Sequence, residues 1–131
     1  MIRTLPLIAV VALALLSPRA AGAEPLTKDD LHGTWGVDEK AATKEQAAAV
    51  TAAKAVEGFG IVLTTRIARV VFETDGMVAG MWRIDDATAT TATLVVQPRG
   101  GEERRYALTV DGERMTVAEA PGGVPLIRAK R

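Results

Sequence analysis

Turn signals punctuate the second half of the chain at intervals of about ten residues. They are Thr74-Asp75-Gly76, Asp85-Asp86-Ala87, Pro98-Arg99-Gly100-Gly101, Asp111-Gly112 and Pro121-Gly122-Gly123. Glycine supplies the left-handed backbone of tight turns, and Asp-Gly is a strong hairpin signal. Such spacing leaves room for one strand between turns and none for a crossover helix, so neighbouring strands must run antiparallel. Strands are expected over 67–73, 77–84, 90–97, 103–110, 114–119 and 124–129. In 77–84, Gly80, Trp82 and Ile84 share one face, and Met77, Ala79, Met81 and Arg83 share the other. Trp82 and Met81 therefore cannot both face a core. In 103–110, Arg104, Tyr106, Leu108 and Val110 share a face.

The first half reads differently. Thr27 to Leu31 has the pattern of one helical turn, with Thr27 as N-cap and Asp30 three residues on. Thr34 to Asp38 is a short strand. From about 41 to 57 the chain is rich in Ala, Lys, Glu and Gln, all strong helix formers, and Thr43 with Gln46 forms a capping box. The apolar face of this helix is mostly Ala with Val50 and Val56, so it should lie against the sheet rather than form the core. Gly58 and Gly60 are expected to break or kink it. The run 59–65 fits a final helical turn or a strand equally well. The fold expected is an all-β antiparallel meander that closes into a small barrel or curls strongly, with one helix inserted after the first strand. Closure removes the exposed edges of a curled sheet.

Residues 1–23 have the layout of a cleaved signal peptide: Arg3, an apolar run from Leu5 to Leu16, then Ala21-Gly22-Ala23. The run is short of the roughly 20 apolar residues that span a bilayer. The expected product is a single domain over 24–131, periplasmic or secreted, with no membrane anchor after cleavage. The 131-residue chain balances 16 Lys+Arg against 16 Asp+Glu, which argues against a nucleic-acid partner. It has no Cys and one His, so disulfides, thiolate metal sites, Cys nucleophiles and lipidated cysteines are excluded and a His-rich metal site is impossible. No cofactor or metal is expected.

The stretch Leu31-His32-Gly33-Thr34-Trp35, with a helical turn before it and a meander after it, resembles the opening of lipocalin-like (calycin) proteins, in particular small exported bacterial domains of that type. The resemblance implies that Gly33 and Trp35 form the structural motif. It implies that Trp35 closes the barrel base and that Arg128, late in the chain, packs over it. It also implies binding of a small apolar ligand. The fatty-acid-binding branch holds a ligand carboxylate with Arg-x-Tyr on an inner face. Arg104 and Tyr106 have that spacing, although the family's pair lies in the last strand and this one lies two strands earlier. A planar guanidinium beside a phenol suits a carboxylate. Phe72 and Trp82, with Met81, are further candidates for an apolar lining.

Each candidate has a plainer alternative. Arg104 can be a surface residue beside a half-buried Tyr106, and Phe72 and Trp82 can be ordinary core. His32, just before a glycine at a helix end, fits a C-terminal cap. The pairs Asp29-Asp30 and Asp85-Asp86 sit where caps and turns want carboxylates, without calcium-loop spacing. Gly58-x-Gly60 lacks the third glycine of a nucleotide motif. The threonines around 88–93 favour a strand. No nucleophile motif accompanies the single His, so the chain is expected to be a non-enzymatic binder of a small lipid or fatty acid. The rival expectation is a solid-core envelope module that meets another protein, favoured if Trp82 or Met81 is exposed.

Overall fold

The computed structural model of the chain describes residues 24–129, so the leader read at 1–23 lies outside the described residues. Helix α1 (Lys28–Leu31) opens the fold. Its N-cap works as expected: the Thr27 amide donates to Asp30 Oδ2 at 2.8 Å. Eight strands follow: β1 (Gly33–Val37), β2 (Gly60–Leu63), β3 (Ile67–Val71), β4 (Val78–Asp85), β5 (Thr91–Pro98), β6 (Arg104–Asp111), β7 (Arg114–Val117) and β8 (Leu126–Arg128). Every strand pairs antiparallel with the next, and β8 returns to β1, so the sheet is a closed barrel. The ambiguous run 59–65 supplies β2, which bridges β1 and β3. Without it the meander would have a gap where closure needs a strand. Among the described residues no helix is long and apolar enough to cross a membrane.

The long helix expected over 41–57 is shorter and interrupted. Regular α-helix α2 covers Ala47–Lys54, after two 3-10 turns at Glu39–Ala41 and Lys44–Gln46. The break has a local cause. Asp38 accepts from the Ala41 amide and caps the first turn, and Ala42 is extended (φ −72°, ψ 143°). The chain must then restart, and it does so at the capping box, where the Thr43 amide donates to Gln46 Oε1 at 2.9 Å. Gln46 Nε2 also donates to the Gly123 carbonyl at 2.8 Å, tying α2 to the β7–β8 connection. The helix ends before Gly58, not at it: the amides of Ala55 and Val56 tighten onto carbonyls three and four residues back. Gly60 instead opens β2 at φ +130°, where a Cβ would lie 2.0 Å from the Trp35 carbonyl oxygen. Only glycine allows β1 and β2 to approach so closely.

Alternation along the strands fills the barrel. Leu94, Val96, Leu108, Met115, Leu126, Ile61, Leu63 and Trp35 are each at most 2 % exposed and belong to one core. An eight-stranded barrel is about wide enough for side chains to fill or for one small ligand. On β4 the face with Trp82 points inward, at 5 % exposure, and Met81 points out, at 65 %. Val95 breaks the pattern: it faces outward yet is 1 % exposed. Its register partners are Arg83 on β4 and Arg105 on β6. Those two arginines form a ring of four ion pairs with Asp85 and Glu103, at 3.1–3.2 Å, which flanks it.

Candidate functional site

The two ends of the barrel differ in chemistry. At the base, α1 lies against Trp35 and Trp82. The Trp35 indole N–H donates to the Leu31 carbonyl at 2.9 Å, and the Arg128 guanidinium lies 4.4 Å from the centre of its ring. Arg128 also donates to the carbonyls of His32 and Asp30 and pairs with Glu113 at 2.6 Å. Gly33 lets it in: a Cβ there, at φ +134°, would meet Arg128 Cδ at 3.0 Å. The expected structural group of Gly33, Trp35 and Arg128 is thus one packed unit. His32 is the C-cap of α1, and its ring sits edge-on to Trp82 at 6.1 Å.

Trp82 does not line the site expected of it. Its N–H donates to the Thr64 carbonyl at 2.9 Å, and Lys28 Nζ lies 4.3 Å over its ring. Val78, at the start of the same strand, lines the opposite end. Four residues of strand span roughly 14 Å. Strand length therefore separates Trp82 from the other candidates, and it plugs the base.

Arg104, Tyr106 and Phe72 do come together, at the barrel mouth. They line a cavity of about 290 Å³ with Val70, Val78 and Glu119. Arg104 opens β6 and is exposed, because it is the last inward-pointing residue before the strand leaves the barrel. Tyr106, one pleat deeper, is 6 % exposed. Phe72 meets Tyr106 edge-on at 6.1 Å and Phe59 at 5.5 Å. Burial pushes the Tyr106 phenol above its ordinary value; the Arg104 guanidinium beside it pulls the other way, and Glu119 adds to the rise. Glu119 is held in place by accepting from the Ala107 amide at 2.8 Å.

A second hollow, of about 280 Å³, lies between α2 and the mouth, lined by Ala49, Ala53, Val56, Phe59 and again Phe72 and Pro121. The two share Phe72, Glu73 and Pro121, so a rim of mixed charge, with Arg104 and Arg105 beside Glu73 and Glu119, leads into a mostly apolar slot under the helix. Sequence reasoning missed Phe59 and Glu119. Phe59 stands at the entry to β2 and Glu119 just past the end of β7, and no local spacing signals either.

A larger hollow, about 740 Å³, is at the base between Asp29, Asp30, His32, Glu113 and Arg128. Its one cation, Arg128, is already saturated by carbonyls, a carboxylate and an indole face, so it has little left for a ligand. Among the described residues no group of three or more His, Asp or Glu side chains is placed to hold a metal. Comparison with protein families, curated proteins and solved structures gives no match to this chain.

Proposed function

We propose that this chain is a non-enzymatic, exported binding protein of lipocalin-like type. Its ligand is a small amphipathic molecule with a carboxylate and an apolar tail, such as a fatty acid. One observation supports this best: Arg104, Tyr106 and Phe72, chosen from sequence, line one cavity at the barrel mouth. In this reading the carboxylate takes the Arg104 guanidinium and the Tyr106 hydroxyl, and the tail lies along Phe72 under α2. At about 290 Å³ the cavity lies just below the range of roughly 300–1,000 Å³ for ligand sites. The barrel interior is filled with side chains, so a short chain or the head of a longer one fits best.

The test is calorimetric titration with octanoate and octanol. Octanoate should bind, octanol should bind at least about ten-fold more weakly, and Arg104→Gln should erase that difference. Equal affinity of the wild-type protein for both, or octanoate binding unaltered in the variant, would sink the reading. A second reading, a solid-core module that works through its outer surface, draws support from the exposure of Met81.

A further inference from the structure

Among the described residues, four large apolar side chains are exposed: Ile67 (46 %), Met77 (61 %), Met81 (65 %) and Ile127. Three of the four are on or beside one hairpin. Ile67 on β3 and Met81 on β4 are direct register partners facing outward, and Met77 stands where that hairpin enters β4. Two arginines flank the pair. Arg66 immediately precedes Ile67, and Arg69 is one pleat further along β3 on the same face. Both are exposed, and neither forms an ion pair among the described residues. Arg69 shares a shallow hollow with Met77 and Glu57 without pairing with that carboxylate. The contrast with the neighbouring arginines is sharp: Arg83, two residues beyond Met81 on β4, and Arg105, on β6, are fully engaged in the ion-pair ring.

We infer that the outer face of the β3–β4 hairpin docks on an anionic phospholipid surface. Ile67, Met77 and Met81 enter the interfacial layer, and Arg66 and Arg69 meet lipid phosphates. Two features select a membrane over a protein partner. A patch of five residues is small beside the roughly 20–30 residues that each side of a stable protein interface contributes. A shallow lipid contact needs only a small apolar patch with cations at its edge, since each cation near an anionic surface contributes independently. The inference does not depend on the ligand at the mouth, because none of the five residues lines that cavity.

The chain has no cysteine, so one can be placed at will. Met81→Cys carries an environment-sensitive nitrobenzoxadiazole dye on the patch. Thr116→Cys carries it on exposed β7, across the barrel from β3. Vesicles of phosphatidylcholine with 30 % phosphatidylglycerol are titrated in at low salt. The expected result is a blue shift at position 81 and none at 116, absent with pure phosphatidylcholine. In the background Arg66→Gln with Arg69→Gln, the half-maximal lipid concentration should rise about 25-fold, from about five-fold per cation. No shift at 81, an equal shift at 116, or a shift indifferent to the two arginines overturns the proposal. So does a dimer in sedimentation that Met81→Ser abolishes, which would give the face to a second copy of the chain.

Discussion

Trp35 has no exposed surface, and its N–H, its ring face and its backbone are all engaged, by the Leu31 carbonyl, by Arg128 and by the close approach of Gly60. Trp35→Ala should therefore cost about 3–5 kcal/mol, read as a lower urea midpoint. Arg128→Met keeps much of the side-chain volume but orphans the carbonyls of Asp30 and His32 and removes the cation over the ring. A loss of at least about 2 kcal/mol is expected in the same measurement. Tyr106 is the one tyrosine in the chain, so phenolate absorbance near 295 nm reports it alone. Its folded value is raised above the unfolded one, so the folded state keeps its proton longer. That contribution to stability is fully present below about pH 10 and is lost as the pH rises through the folded value. Arg104→Gln should move the absorbance transition to still higher pH, because the guanidinium opposes the burial effect. An unmoved transition would separate the two side chains. The spacing of Arg104 and Tyr106 was legible in the sequence because period-two alternation is local. The exposure of one and burial of the other was not, because it depends on where the barrel ends.

At the scale of elements, α2 is held to the barrel by Gln46, whose side chain closes the capping box of the 3-10 turn that leads into the helix and reaches the Gly123 carbonyl. Gln46→Ala removes both and should destabilise by about 1 kcal/mol, with faster amide exchange over 47–54. Ala49 sits so close to Gly122 that a Cβ on that glycine would lie 2.4 Å from the Ala49 methyl, so position 122 takes no side chain. The sequence indicated the capping box but not the break at Ala42, whose extended backbone follows from the Asp38 cap of the preceding turn. The ion-pair ring joins β4 and β6 across β5. Hydrogen bonding from Arg83 holds the Asp85 carboxyl below the usual carboxylate range. Its contribution is present above the ordinary Asp value and disappears as the pH falls through the lowered one. Asp85→Asn should flatten the acid side of a plot of urea midpoint against pH, an effect that raised salt also weakens.

At the scale of the molecule, closure rests on the pairing of β1 with β8, Trp35 opposite Arg128 and Val37 opposite Leu126. Strand β8 is laddered on both sides, to β1 and β7. Ile127→Pro would remove an amide from that ladder and open the barrel into a sheet with two edges. The expected outcome is loss of cooperative unfolding and aggregation on concentration, followed by light scattering. A mouth lined by Arg104, Tyr106 and Phe72 exists only in the closed state, so this variant should also lose octanoate binding.

Local chemistry in the sequence determined the turns, the antiparallel order, the cap at Thr27 and the restart at Thr43, because glycine turns, side-chain caps and two-residue alternation act over a few residues. The same chemistry determined that either Trp82 or Met81 must face out. Tertiary structure alone decided that Met81 does, that 60–63 is a strand, and that Trp82 plugs the base while Tyr106 stands at the mouth. It also decided that Val95 is buried on the outside of the barrel. These outcomes depend on which strand lies beside which and in what register. Register across a closed barrel is a property of all eight strands at once, and no short window of sequence contains it.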